Sequence, residues 1–154
     1  FTTNIDGSGI WPLNLEDMSS HYTWTAPDKI INFSNRYKHG WQYYLYTDRT
    51  HQTEVIAENV FPGDGHCSFS SDGKWMLTDS YPLEDNCRHL FLYHLAEKRA
   101  FEIGAFYSDP SYPGPTRCDL HPNWSRDDQT VCIDSIHEGS RQVYTIDVSG
   151  LTGK

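Results

Sequence analysis

The 154-residue sequence has no long apolar run. No stretch approaches the roughly 18–20 consecutive apolar residues that cross a bilayer, so the sequence predicts no membrane span. Basic residues are also few: 12 Lys and Arg against 21 Asp and Glu give a formal net charge of −9. This balance argues against general nucleic-acid binding, because phosphate contacts require a basic surface. A local cluster of Arg and His would still bind an anionic ligand.

The spacing C-x-x-C does not occur among the four cysteines, Cys67, Cys87, Cys118 and Cys132. Its absence excludes a zinc ribbon and a thioredoxin-type motif. Three full disulfide pairings stay open, and so does the compartment, with cytoplasm, periplasm and secretion all compatible with the sequence. The chain starts at Phe1 without an initiating methionine or a signal-like apolar segment, and the pattern of residues 1–9 recurs in residues 144–150. We therefore expect a piece of a longer protein.

Helical periodicity is missing beyond a turn or so around residues 13–18, whereas 14% aromatic residues and many Thr, Val and Ile favour strands. Three segments repeat one pattern: a histidine, two residues, an aromatic residue, a hydroxyl, then a turn aspartate and an alternating apolar stretch. The copies begin at His21, His66 and His121. A repeat of this period predicts stacked β-sheet units, the blades of a propeller.

The fold class that follows is all-β, a propeller of four-stranded blades at about residues 19–60, 64–104 and 119–154, preceded by a blade tail at 1–12. Strands are predicted at residues 30–33, 42–46, 54–56, 68–70, 75–78, 88–93, 100–103, 130–133 and 141–146. Propellers close with about 4–8 blades, so three and a half blades predict a fragment of a larger ring, of six to eight blades. The missing blades would come from the rest of the chain or from another chain.

The repeated histidines are the first candidate site residues. The first strand of a propeller blade lines the central channel, so His21, His66 and His121 are in position to converge there. Histidine is the commonest metal ligand and the side chain most easily set up as a base near neutral pH. For each one taken alone, the more frequent role is a hydrogen bond to a turn or to a neighbouring strand.

The densest polar cluster is Arg117-Cys-Asp-Leu-His121. Cys118 and His121 have a C-x-x-H spacing, which is able to place a thiolate and an imidazole on one metal ion. Arg117 is suited to neutralise a carboxylate through its planar fork of donors, or else to form an ion pair with Asp119 or Asp127. Tyr81 follows a strand end and is either a proton donor or a packing residue. The repeated aspartates are predicted to form turns, and the repeated aromatics to pack between blades.

The segments at residues 69–74 and 124–128, each followed by an apolar strand and then Leu-Tyr or Val-Tyr, resemble TolB-like (WD-like) β-propeller repeats. A narrower resemblance is to the oligogalacturonate lyases, propeller enzymes with a histidine base, an arginine, and a divalent metal held by histidines and a glutamine. Their last metal motif, Q-x-x-H-x-H, is similar in place to Cys118…His121-x-Asn123. Cysteine stands here for the glutamine, and asparagine for the final histidine.

This resemblance implies β-elimination on acidic oligosaccharides or polysaccharides that contain uronic acid. It implies His21, Arg117 and Tyr81 as catalytic residues and His66, Cys118 and His121 as metal ligands, with manganese or zinc as the ion. The sequence also resembles ulvan-lyase propellers, which have His, Tyr and Arg at the active site. Arg117 and Tyr81 or Tyr112 are the residues that this resemblance implies for the Arg and the Tyr. The competing interpretation is a non-catalytic TolB-like propeller that acts as a protein-interaction or carbohydrate-binding scaffold, and whether the chain is an enzyme stays open at this point.

Overall fold

The computed structural model describes residues 1–16, 18–36 and 39–153. Strands dominate, and the chain separates into two compact units, Phe1–Phe61 and Pro62–Lys154. The turn expected near residues 13–18 is not helical in its described part, and residue 17 lies outside the described residues. Within the described ranges, no helix is both long and apolar enough to cross a membrane.

One antiparallel sheet makes up most of the first unit, with its strands in the order β1-β2-β3-β4. The strands are β1 Ser19–Ala26, β2 Lys29–Arg36, β3 Gly40–Thr47 and β4 Thr53–Ile56. The central part of β2, residues 30–34, is buried without interruption. Tyr43, Tyr44 and Tyr46 of β3 pair with this stretch and are also buried. All three strands predicted for this part of the sequence lie within observed strands.

The second unit contains two antiparallel sheets. The first has strands β5 Ser68–Phe69, β6 Trp75–Asp79, β7 Cys87–His94 and β8 Arg99–Tyr107, in that order. The second has strands β9 Asn123–Trp124, β10 Thr130–Ser135 and β11 Gln142–Asp147, ordered β11-β10-β9. A 3₁₀ turn at Gly114–Thr116 and a short helix α1, Ser149–Thr152, complete the unit. The all-β prediction is confirmed, and the last sheet shows three strands within the described residues.

An apolar cluster joins the two sheets of the second unit. Its buried members are Trp75, Leu77, Leu90 and Leu92 of the first sheet, and Leu120, Val131, Ile133 and Val148 of the second sheet and its flanks. Burying one such leucine contributes about 1.5–3 kcal/mol relative to leaving it exposed. Hydrogen bonds also cross between the sheets, from Ser68 Oγ to the Pro122 carbonyl (3.1 Å) and from the Ser71 N–H to Asp128 (3.0 Å).

The repeated hydroxyl and aspartate form the turn that leads into the second strand of each sheet in this unit. Ser70 Oγ donates to Asp72 (2.8 Å), and Ser125 Oγ donates to Asp127 (2.6 Å). Each serine oxygen also accepts the first N–H of the following strand, at 3.0 Å in both cases. The Ser125 hydroxyl, followed by a backbone N–H, holds the pKa of Asp127 below its usual value. The predicted role of these aspartates in turns is therefore confirmed.

The repeated aromatic residue behaves differently in the two units. Trp124 packs against the apolar cluster of the second unit, as expected for a residue between sheets. Trp24 on β1 is 51% exposed and borders an open cavity together with Tyr22. Within the described part of the first unit there is one sheet, so Trp24 has no second sheet of its own unit on which to pack. Trp24 is therefore not buried within its own unit, and its packing between blades stays a prediction.

Candidate functional site

Two of the three repeated histidines meet in the second unit. His66 and His121 precede β5 and β9, and their ring centroids are 4.3 Å apart at an interplanar angle of 57°. Together with Asp119 they offer three ligand atoms that all lie within 4.8 Å of one another. His21 lies on β1 in the first unit, where its Nδ1 is 3.3 Å from Ser20 Oγ.

A glycine and a buried aspartate fix the position of His66. A Cβ on Gly65 would lie 1.9 Å from the Asp79 carbonyl oxygen, so only glycine permits this close approach. The Asp79 carboxylate, which is 1% exposed, accepts the His66 N–H at 2.6 Å and lies 3.1 Å from Nδ1 through both oxygens. A carboxylate at Nδ1 favours the proton on that nitrogen, so Nε2 carries the lone pair.

The charge of Asp79 also affects the protonation of His66. Burial acts to lower the pKa of His66, but the hydrogen bond and the negative charge of Asp79 oppose it, and the net result is a raised pKa. His66 therefore carries a proton more readily than a histidine in water, and a cation that binds there has to compete with that proton.

A second repeated histidine, His121, has an aspartate at the position that Asp79 occupies relative to His66, whereas His21 has none. Asp79 pairs with Leu90, and Asp134 pairs with Val143, so the two aspartates occupy equivalent positions in the two sheets of the second unit. Asp134 lies 4.0 Å from Nδ1 of His121. Asp79 and Asp134 each follow the repeated aromatic residue by ten positions, and the residue ten positions after Trp24 in the first unit is Ser34, opposite Gln42. His21 therefore lacks the aspartate that its two counterparts have at this position.

The backbone conformation of His121 and a hydrogen bond from Asn123 define its position. It adopts φ +43°, an uncommon conformation for a residue other than glycine. The Asn123 side chain donates to the His121 carbonyl at 2.9 Å.

Asp119, and not Cys118, joins the histidines. Residues 117–122 lie outside the strands, and the Asp119 carboxylate offers one ligand atom within 4.8 Å of those of His66 and His121. Cys118 and Leu120, on either side of it, are buried at 2% and 1% exposure. Cys118 Sγ is 3.9 Å from the Asp119 carbonyl oxygen. Among the described residues, the cluster of ligand groups around His121 includes Asp119 and not Cys118.

The Asp119 carboxylate also accepts from two arginines. The NH2 group of Arg88 lies 2.6 Å from Oδ1, and Nε of Arg117 lies 2.9 Å from each oxygen. Arg117 thus forms the ion pair with Asp119 that was one of its two predicted roles, and this hydrogen bond raises its pKa. Arg117 remains 41% exposed, so its guanidinium is accessible to a ligand.

Tyr81 completes this polar group. Its hydroxyl accepts from the NH2 group of Arg117 at 3.3 Å, and its ring lies 5.1 Å and 5.6 Å from the guanidinium carbons of Arg117 and Arg88. Burial raises the pKa of the Tyr81 phenol, although the nearby charge of Arg117 acts to lower it. The phenol therefore keeps its proton at neutral pH.

The three clustered groups fit a divalent cation in their chemistry. Two imidazole nitrogens and one carboxylate oxygen form a donor set that zinc and other first-row divalent metals use. Each carboxylate oxygen has two lone pairs, so Asp119 retains acceptor capacity beyond its bonds to Arg88 and Arg117. Without the Cys118 thiolate, the argument that a soft ligand favours zinc over manganese no longer applies.

Sequence comparisons return nothing for this chain: no family model matches it, and no curated protein matches it. Solved structures do match. TolB from Acinetobacter baumannii superposes with a TM-score of 0.71 at 23% identity, over 94% of this chain and 34% of that protein. An oligogalacturonate lyase from Vibrio parahaemolyticus superposes with a TM-score of 0.71 at 21% identity, over 95% of this chain and 40% of that protein.

At these identities the likeness shows the fold. The chain has the fold of TolB-like propeller proteins, and the resemblance read from the repeat motifs is confirmed. It spans 34% of the length of this TolB and 40% of the length of this lyase.

Proposed function

We propose that this chain is part of a propeller enzyme that cleaves uronic-acid-containing oligosaccharides by β-elimination, with a divalent cation held by His66, Asp119 and His121. The observation that carries the proposal is the convergence of two histidines from equivalent repeat positions with a buried carboxylate. The fold it shares with an oligogalacturonate lyase supports the substrate class.

The three sheets serve as blades at about residues 19–60, 64–104 and 119–154, with residues 1–12 as the tail of another. The rest of the ring, of six to eight blades, comes from further chain or from a second chain. The share of each solved propeller protein that this chain covers supports this assignment.

The bound cation would neutralise the C6 carboxylate of the uronate and so make the C5 proton more acidic. Arg117 binds the same carboxylate through its exposed guanidinium. His21 removes the C5 proton as a neutral imidazole, the electrons of the C5–H bond form the C4–C5 double bond, and the C4–O bond breaks. Tyr81 gives its phenolic proton to the leaving oxygen and recovers a proton from solvent.

The wild-type activity provides the test. We expect the intact protein, supplied with Mn²⁺ or Zn²⁺, to convert oligogalacturonate into an unsaturated product detected by its ultraviolet absorbance. Chelation should abolish the reaction, and a neutral galactose oligomer should not react. No turnover with either ion on any uronate oligomer, by a folded protein, would refute the lyase assignment.

Replacing Asp79 with asparagine is expected to lower the affinity for the cation by about 10–100-fold, the usual cost of losing the partner behind a metal-binding histidine. Isothermal titration calorimetry with Mn²⁺ measures it. Asp134→Asn is the matched control, because Asp134 is farther from its histidine, at 4.0 Å, and its side chain is 39% exposed. Equal losses in the two variants would contradict a specific role for Asp79.

A non-catalytic scaffold is the second candidate. The equal TM-scores to TolB and to the lyase favour it, as does the replacement of the glutamine and the last histidine of the lyase motif by Cys118 and Asn123. It predicts no turnover and no stoichiometric cation. Metal analysis of the purified protein separates the two functions.

A further inference from the structure

We propose that Arg88 is a positioning residue: it orients Asp119, and through it Arg117 and Tyr81, without touching the substrate. The catalytic role of this arrangement rests on the proposed function, whereas the arrangement of the side chains rests on contacts alone. From the sequence, Arg88 is predicted only to begin a strand.

The guanidinium of Arg88 is held on all sides. The residue is 3% exposed on β7, and NH2 lies 2.6 Å from Asp119 Oδ1. Nε donates to Ser108 Oγ at 3.3 Å, and NH1 donates to the Ser80 carbonyl at 3.4 Å. Each of the three nitrogens therefore has an acceptor, which fixes the plane of the group.

Four side chains form a closed ring through this group. Arg88 donates to Asp119, Asp119 accepts from Arg117, and Arg117 donates to the Tyr81 hydroxyl. The Tyr81 ring returns to Arg88 at 5.6 Å from its guanidinium carbon. Arg117 is the exposed member, so its orientation depends on the buried bond between Arg88 and Asp119.

Two guanidinium groups share one carboxylate in this ring, which leaves one positive charge in excess. That charge is exposed at Arg117, where a uronate carboxylate is proposed to bind. If a neutral residue replaced Arg88, the positive charge of Arg117 would only compensate the negative charge of Asp119, and no excess positive charge would remain.

The repeat shows that an arginine at this position is not needed to build the sheet. Arg88 precedes Leu90 by two residues, and Arg141 precedes Val143 by two, so the two arginines are equivalent in register. In the first unit the residue two positions before the partner of Ser34 is Gly40. Arg141 is exposed and donates to the Arg117 carbonyl at 2.9 Å, outside the ring of side chains.

The experiment compares Arg88→Met and Arg88→Lys with Arg141→Met. NMR of the guanidinium resonances measures hydrogen exchange at Arg117 Nε, and oligogalacturonate turnover is followed in parallel. We expect Arg88→Met to speed that exchange by about tenfold or more, because hydrogen bonds between charged groups are stronger than those between neutral groups. Turnover should fall by up to roughly 10²-fold, since small misplacements of binding groups cost that much. Lysine should restore exchange protection in part, and Arg141→Met, which removes a donor to the Arg117 carbonyl but leaves the ring of side chains intact, should change both readouts less than Arg88→Met does.

Unchanged exchange at Arg117 in a folded Arg88→Met protein would overturn the positioning role. If that variant does not fold, Ser108→Ala removes one partner of Arg88 and keeps its charge; faster exchange at Arg117 supports the role, and unchanged exchange overturns it. If the wild-type protein has no lyase activity but the exchange responds as expected, the positioning role stands and the proposed function fails.

Discussion

Alanine in place of His66 is expected to lower the affinity for Mn²⁺ or Zn²⁺ by more than about 100-fold. Losing the partner behind a metal-binding histidine costs about 10–100-fold, so losing the imidazole itself should cost more. The remaining Asp119 and His121 offer two ligands, and Asp119 is shared with Arg88 and Arg117. Calorimetric titration with each ion measures the loss.

His89→Ala is the matched control for this prediction. His89 lies in the same unit and contacts two carboxylates, Asp85 and Glu102, at 3.1 Å and 3.0 Å on opposite ring nitrogens, but it is not part of the His66 cluster. We expect its removal to leave cation affinity unchanged. A folded His66→Ala protein that binds the ion as tightly as wild type would show that the cluster is not the metal site.

Alanine in place of His21 is expected to reduce turnover by about 10²–10⁴-fold, the usual contribution of general acid–base catalysis. Binding of the oligosaccharide and of the cation should survive, because neither is assigned to His21. The effect should therefore appear in kcat and not in KM. Steady-state kinetics on oligogalacturonate measures both.

His51→Ala provides the comparison within the first unit. His51 contacts Trp11 at a centroid distance of 5.4 Å and has no assigned role in the reaction. Its removal should leave kcat within about threefold of wild type, as for most substitutions away from reacting groups. If His21→Ala retains full turnover, the base is another residue and the assignment of His21 from its place in the repeat is wrong.

The fold could be read from the sequence because its signals are local. In both turns of the second unit the aspartate is two positions after the serine, and the hydrogen bond between them, such as Ser70 to Asp72, needs no distant part of the chain. The exposure of Trp24 could not be read in the same way, because its packing depends on a neighbouring sheet, and the described part of the first unit has one sheet.

The site was predictable only in part. The repeat identified His66 and His121, whose rings meet in the structure. Asp119 could not be selected over Cys118 from the sequence, because the segment before β9 is irregular and His121 has a positive φ. Arg88 had no local signal, because its role arises from a tertiary contact between β7 and the segment before β9.

The central claim is that His66, Asp119 and His121 together hold a divalent cation. Anomalous diffraction from crystals of the intact protein grown with Mn²⁺ or Zn²⁺ tests it most directly. We predict one strong anomalous peak at bonding distance from both imidazoles and the Asp119 carboxylate. A peak bound elsewhere, for example at His89 with Asp85, or the absence of any peak at this cluster, would contradict the claim.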